Sequence, residues 1–246
     1  MEKGFTNKVS TIRHNAVFSA TAFGETRVDI IGCGATGSRI AMGLAKLGIQ
    51  NLHIWDFDTV ESQNVSNQIF YLDEDIGKKK VVALAKHIRK ATGLEVTIHD
   101  EKVDGSQELG DVVFLLTDTM ASRKEIWEKS IRDSNVRIMI ETRMNPFSGR
   151  IYMIDPNHYN ESKFWEETLK KDGEIPPSPC GGKTSVGPTA ERISGDAQIQ
   201  FLNWINYKNS LQNPKLEQVQ HPTREMVINL RPIPSVLTDD DLGNVF

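Results

Sequence analysis

Cysteine is scarce. Only Cys33 and Cys180 occur, and they form no Cys-x-x-Cys pair. This sets aside a disulfide framework and excludes a structural zinc built on thiolates. A reducing compartment is expected. The histidines (His14, His53, His87, His99, His158, His221) are scattered without ligand spacing, so no zinc is expected from them either. No run approaches the ~20 apolar residues that a membrane helix needs. The opening Met1-Glu2-Lys3-Gly4 lacks the apolar core of a signal peptide, so a cytoplasmic protein without a membrane partner is expected. A basic excess is also missing. The formal net charge is −4, which argues against DNA or RNA as a partner while leaving room for a local basic phosphate site.

The composition is that of an ordinary globular chain. At 38% hydrophobic and 25% charged, 246 residues suffice to bury a real core in one generous domain. Apolar runs with helical and strand spacing alternate along the first part. Val28 to Ile31, Asn51 to Trp55, Glu95 to His99, Asp111 to Leu116 and Val136 to Glu141 read as strands. Ser38 to Leu47, Lys79 to Thr92 and Ala121 to Arg132 read as helices. This order predicts an α/β fold, a Rossmann-like, mostly parallel sheet with helices on both faces. The second part changes character. Gly149 to Asp155 reads as a strand of antiparallel type, Asn157 to Pro179 as a polar surface excursion, and Thr189 to Tyr207 as a long helix. Val227 to Leu230 reads as a last strand, and the tail from Pro232 as loosely held. The expected organisation is one domain over 1–246. It comprises an N-terminal arm (1–27), a nucleotide-binding core (28–148) and a smaller, partly antiparallel C-terminal extension (149–246).

Gly32-Cys33-Gly34-Ala35-Thr36-Gly37 follows a predicted strand and opens a predicted helix. Glycine lets the backbone turn sharply and approach a phosphate, and the helix N-terminus supplies unpaired amides and a positive dipole end. Asp56 ends the next strand, where a carboxylate takes ribose hydroxyls. This pattern fits NAD and ATP equally well.

The segment Asp56-Phe57-Asp58-Thr59-Val60 with Asn64, Asn67 and Gln68, followed by Gly77-Lys78-Lys79-Lys80, favours ATP. A dinucleotide dehydrogenase needs one acidic residue here and has no use for the rest. Adenylation needs cations around the α-phosphate, because a carboxylate must attack it. It also needs a carboxylate for magnesium. Thr117-Asp118 follows a parallel strand, at the edge where such folds bind ligands, so Asp118 and Asp58 are candidates for the metal.

On these motifs the chain resembles the ThiF/MoeB family, which shares its adenylation domain with ubiquitin-activating enzymes. The resemblance runs from Val28 to about Arg123 and resumes from Cys180 to about Trp204. It implies ATP and magnesium as cofactors and a homodimer. The partner it implies is a small ubiquitin-like protein ending in Gly-Gly, whose carboxylate is activated as an acyl adenylate. By position, it places Gly32, Gly34, Ala35, Thr36 and Gly37 near the nucleotide and Asp56 on the ribose. Asn64 and Lys80 fall on the phosphates, Asp118 on magnesium with Asp58 assisting, and Gln68, Thr117 and Arg123 nearby. Arg13 is the candidate for an arginine donated across the dimer interface, and Cys180 for an acceptor of the activated acyl group or of sulfur. An unreactive loop cysteine is the bland alternative for Cys180.

The chain departs from the family where an arginine usually follows the Asn by three residues. Asn67 stands there, and it cannot supply a guanidinium charge. Arg39 reads as a surface or packing residue, and Lys78 and Lys79 as a solvated face. Three further readings stay open: a related enzyme acting on a small-molecule or tRNA carboxylate, a degenerate non-catalytic subunit, and an NAD oxidoreductase.

Overall fold

The computed structural model describes residues 7–169, 186–212, 219–231 and 233–242. After a four-residue helix α1 (Ala20–Phe23) the chain enters β1 (Val28–Ile31), α2 (Ala35–Leu47) and β2 (Leu52–Trp55). A 3-10 turn (Ser62–Asn64) and α3 (Leu72–Asp75) lead to α4 (Lys80–Thr92) and β3 (Thr97–His99). Next come β4 (Val112–Leu115), α5 (Met120–Ile126), which runs into a π-helical turn (Trp127–Ile131), β5 (Ile138–Asn145) and β6 (Ser148–Ile154). Helices α6 (Tyr159–Glu167) and α7 (Gly187–Gln212), strands β7 (Glu225–Asn229) and β8 (Ser235–Thr238), and α8 (Asp239–Leu242) complete it. Helices α2 and α4 stop where they do because Gly48 (φ 97°) and Gly93 (φ 78°) take up the left-handed conformation and return their N–H groups to the last turn.

The eight strands form one sheet in the order β3-β2-β1-β4-β5-β6-β7-β8. The first five are parallel, and β6, β7 and β8 continue as an antiparallel meander. The chain leaves β1 toward β2 on one side and returns to β4 on the other. A crevice therefore opens beyond the carboxyl ends of β1 and β4, the place where open α/β sheets bind ligands.

Strand residues alternate between two cores. Val28, Ile30, Ile54, Phe114 and Ile140 join α2, α4 and α7 on one face. Ile31, Trp55, Leu115 and Met139 join Trp127 and Trp165 on the other. Buried on both sides, β1 and β4 are nearly continuous in apolar residues, which is why they read as runs. Asp29 interrupts β1, and it is fully satisfied. Its carboxylate accepts from Trp55 Nε1 (2.7 Å), the Arg27 guanidinium (2.8 Å) and Gly110 N (2.7 Å).

Two expectations for the second half give way. Residues 157–169 are not a polar excursion. Helix α6 buries Trp165 completely, and the Trp165 Nε1 donates to Glu141 (2.6 Å). One large apolar anchor outweighs the polar surroundings; the rest of the expected excursion, from residue 170 on, lies outside the described residues. Over residues 233–242 the tail is held in place; the rest lies outside the described residues. β8 pairs with β7, and two aspartates have partners: Asp239 takes Arg224 (3.0 Å) and Thr223, and Asp241 accepts from Thr238 N (2.9 Å). No described helix is long and apolar enough to cross a membrane.

Candidate functional site

The cleft starts from backbone fit. Gly32 has φ 99°, and a Cβ there would stand 2.8 Å from the Leu116 carbonyl oxygen. A Cβ on Gly37 would lie 1.8 Å from the Gly32 carbonyl oxygen. The ends of β1 and β4 and the first turn of α2 thus abut with no room for side chains. Gly34 caps α2 without a side-chain acceptor, and the first-turn amides of Ala35, Thr36 and Gly37 have none within the helix, the usual setting for an anion. Asp56, at the end of β2, braces this loop. Its Oδ2 accepts from Cys33 N (2.7 Å) and its Oδ1 from Asp58 N (2.8 Å). Burial pushes the Asp56 carboxyl above its ordinary range, while Lys80 and these two amides pull it back. The remaining lone pairs suit hydroxyl donors.

Asp58 and Lys80 meet although 22 residues separate them. A short antiparallel ladder does this: Val60 N donates to Lys78 O (2.8 Å), Gly77 N to Val60 O (2.9 Å) and Lys80 N to Asp58 O (3.0 Å). Lys80 Nζ then lies 2.6 Å from Asp58 Oδ2, with the lysine side chain 9% exposed and the aspartate 51%. Lys80 is the first residue of α4, where the helix dipole disfavours a cation. A buried ammonium in that position calls for anions, and one half-exposed carboxylate supplies only part of the demand. Asp118 is exposed and lies two residues beyond Leu116, whose carbonyl closes on Gly32; it therefore sits at the carboxyl edge of β4, beside the loop. Lys79 donates to Phe57 O (2.7 Å) and pairs with Asp100 (3.0 Å), and Lys78 is exposed.

The third wall is the segment from Asn64 to Gln68. Asn64 Oδ1 accepts from Glu61 N (2.9 Å), leaving its NH2 group to donate. Asn67 Oδ1, Gln68 Oε1 and Thr117 Oγ1 are buried without a hydrogen-bond partner. Orphaned polar atoms of this kind call for a partner the protein does not supply. Arg39 ties this wall to α2: its Nη1 donates to Ala35 O (2.8 Å) and to Asn67 O (2.6 Å), and its Nε lies 2.9 Å from Glu191 of α7. A Cβ on Gly187 would lie 3.3 Å from Ser66 O, so α7 begins against the same wall. Thr36 turns inward. Its hydroxyl accepts from Thr142 (3.2 Å) and its carbonyl from Ser194 (3.3 Å), which leaves its backbone amide for an anion.

Gly32, Gly34, Ala35, Thr36, Gly37, Asp56, Asp58, Asn64, Asn67, Gln68, Lys80, Thr117 and Asp118 thus all lie on segments that follow the carboxyl ends of β1, β2 and β4 or open α2 and α4. Arg123 is buried, 2.8 Å from Glu141, and donates to Thr142 O (3.3 Å). It reaches the strand beside the loop, since Thr142, which takes its hydrogen bond, is itself bonded to Thr36. Arg13 is exposed in a turn whose His14 ring nitrogen lies 3.2 Å from Leu47 O. That is the far end of α2, about 20 Å from the phosphate loop along the helix. Cys180 lies outside the described residues. The Cys33 thiol is fully buried, and burial pushes its pKa well up, so it is no nucleophile. Sequence reasoning missed Thr142, Glu191 and Ser194, which carry no local motif. It also set Arg39 aside, although the i, i+4 spacing from Ala35 places it beside the loop.

Comparisons with known proteins bear on the family and the fold. The model of the ThiF family matches residues 17–234. The sulfur carrier protein ThiS adenylyltransferase of Escherichia coli (strain K12) is 26% identical over 200 residues, covering 77% of this chain and 75% of that protein. The NEDD8-activating enzyme E1 catalytic subunit of Arabidopsis thaliana is 29% identical over 105 residues, covering 41% of this chain and 23% of its own length. Thus the chain spans under a third of that longer relative. Among solved structures, E. coli MccB with ATP superposes with a TM-score of 0.63 at 14% identity, covering 89% of this chain and 64% of that one. PaaA superposes at 0.65 and 19%, covering 89% and 74%; both establish likeness of fold. The chain belongs to the ThiF family, as an enzyme of the adenylyltransferase type.

Proposed function

We propose that this protein binds ATP in the cleft and adenylates the C-terminal carboxylate of a small ubiquitin-like or sulfur-carrier protein ending in Gly-Gly. The observation that carries this reading is the buried Lys80 ammonium beside Asp58, set against the open N-terminus of α2 and the braced Asp56. The similarity to an enzyme that adenylates a sulfur carrier protein supports the substrate class. Asp56 takes the ribose hydroxyls. The α2 amides, the Asn64 NH2 and Lys80 take phosphate oxygens. A carboxylate oxygen attacks the α-phosphorus, the bond to the β-phosphate bridging oxygen breaks, and pyrophosphate leaves. The protein contributes position and charge; no side chain need exchange a proton.

Magnesium fits the donor set. Asp118 at the cleft edge and the phosphates of ATP form a hard-oxygen site of the kind that needs no all-protein cage. When bound, the ion neutralises phosphate charge. In this proposal Asp118 is the principal protein ligand and Asp58, half exposed beside Lys80, assists. Homodimerisation with Arg13 reaching a partner's cleft, and acyl or sulfur transfer to Cys180, extend the same reading. In its own chain Arg13 lies at the wrong end of α2.

A second reading, a degenerate binding subunit, is favoured by Asn67 alone. One experiment separates the two. The protein, ATP, magnesium and labelled pyrophosphate are incubated with candidate Gly-Gly proteins, followed by intact-mass analysis. Exchange dependent on one of these proteins supports the enzyme. Tight ATP binding without exchange with any of them supports the subunit.

A further inference from the structure

Arg39 is the one strong cation that the described residues hold against the Asn64–Gln68 wall. Its side chain folds back along α2 toward the N-terminus, as helical side chains do, and this carries the guanidinium alongside the phosphate loop. Only 12% of the side chain is exposed. Two of its contacts are backbone carbonyls, Ala35 and Asn67, which neutralise no charge. The one ionic partner, Glu191, is 67% exposed, and its contact at Nε is off-line for a hydrogen bond. A guanidinium carries five N–H donors, so this one has donors to spare. Its hydrogen bond to the Asn67 carbonyl sets it at the one wall position where the resemblance leaves a cation missing.

We propose that Arg39 is the phosphate-binding arginine of this cleft. It reaches from α2 to the position that the uncharged Asn67 leaves empty, and Glu191 is a weak stand-in anion that ATP displaces. The inference rests on the reading of the cleft as an ATP site. A guanidinium pre-oriented by two carbonyls spends little entropy on meeting a phosphate, which is what a bidentate contact needs. Glu191 holds the charge in place between turnovers and, being mostly exposed, costs little to release.

The test compares ATP with adenosine. Both ligands are titrated calorimetrically into the full chain, with magnesium present, for the wild type, Arg39→Met and Glu191→Gln. Arg39→Met is expected to weaken ATP by roughly ten- to a hundredfold, the worth of a charge-assisted contact, and to leave adenosine unchanged. A merely structural arginine would weaken both alike. Glu191→Gln, on the exposed face of α7, is expected to tighten ATP by a fewfold, because the competing carboxylate is gone. It keeps the proposal testable should Arg39→Met fail to fold. Equal losses for the two ligands, an unchanged ATP affinity in Arg39→Met, or a weakened one in Glu191→Gln would overturn the proposal. A wild type that binds no ATP at all would instead refute the reading of the cleft.

Discussion

Replacing Lys80 by Met keeps the buried aliphatic stem and deletes the ammonium, so it isolates the charge. Three consequences follow from the geometry. The fold should survive: the substitution removes a charge that is costly to bury, and Asp58, half exposed, rehydrates when its partner goes. The chemical step should suffer far more, because Lys80 is the buried cation facing the charge that develops on the phosphates. Loss of one such preorganised donor costs about a hundred- to a thousandfold in kcat. The pH dependence should move as well. Lys80 holds the Asp56 carboxyl down against its burial, so without it Asp56 takes up its proton at a higher pH. On acidification the variant therefore loses activity earlier than the wild type. The assay is ATP–pyrophosphate exchange with saturating MgATP and the cognate Gly-Gly protein, followed over about pH 5 to 8. Exchange within about threefold of wild type, less than 1 kcal/mol of barrier, together with an unmoved acid limb, would refute the assignment.

Other outcomes are equally specific. Gly37→Ala puts a methyl 1.8 Å from the Gly32 carbonyl, which is backbone and cannot swing away; urea denaturation should show a loss of about 1–3 kcal/mol along with weaker ATP binding. Glu141→Leu leaves Arg123 and Arg143 without their shared buried carboxylate (2.8 and 2.7 Å) and should destabilise by about 3–5 kcal/mol in the same assay. Burial first, then Arg27, lowers His53 from 6.5 to about 4, and its ring is already bonded to His99 (3.0 Å). Between those values the unfolded chain binds the extra proton, so stability falls as pH drops from 6.5 toward 4. His53 is only partly buried, and solvent screening reduces its share to the order of 1 kcal/mol. His53→Gln should flatten that part of a pH–stability curve, and an unchanged slope would clear His53 of the effect.

The parallel half of the sheet was legible because its physics is local. Val28 to Ile31 and Val112 to Leu115 are buried on both faces, and Gly48 and Gly93 stop their helices with left-handed turns that few other residues adopt. The resemblance gave Asp58 to magnesium and Lys80 to the phosphates but did not pair them, since the ladder that brings them into contact has no periodicity of its own. Helix α6 was missed because a single buried Trp165 decides its packing, and no window average registers one residue. The start of α2 was misjudged by three residues. Gly37 looks like loop in sequence, yet it is a helical residue made small by the approach of the Gly32 carbonyl. Thr142, Glu191 and Ser194 were unreadable, since their role comes from how the sheet brings distant strands and helices to one edge.

The hydrogen bond from Ser194 to the Thr36 carbonyl spans 158 residues of chain. A ribosome moving at about 5–20 residues per second needs on the order of 8 to 30 seconds to make that stretch. Throughout that interval the phosphate loop exists without the helix that pins it. On the proposed reading, nucleotide capture therefore waits for α7, and a premature stop before that helix leaves a product whose loop has lost its clamp.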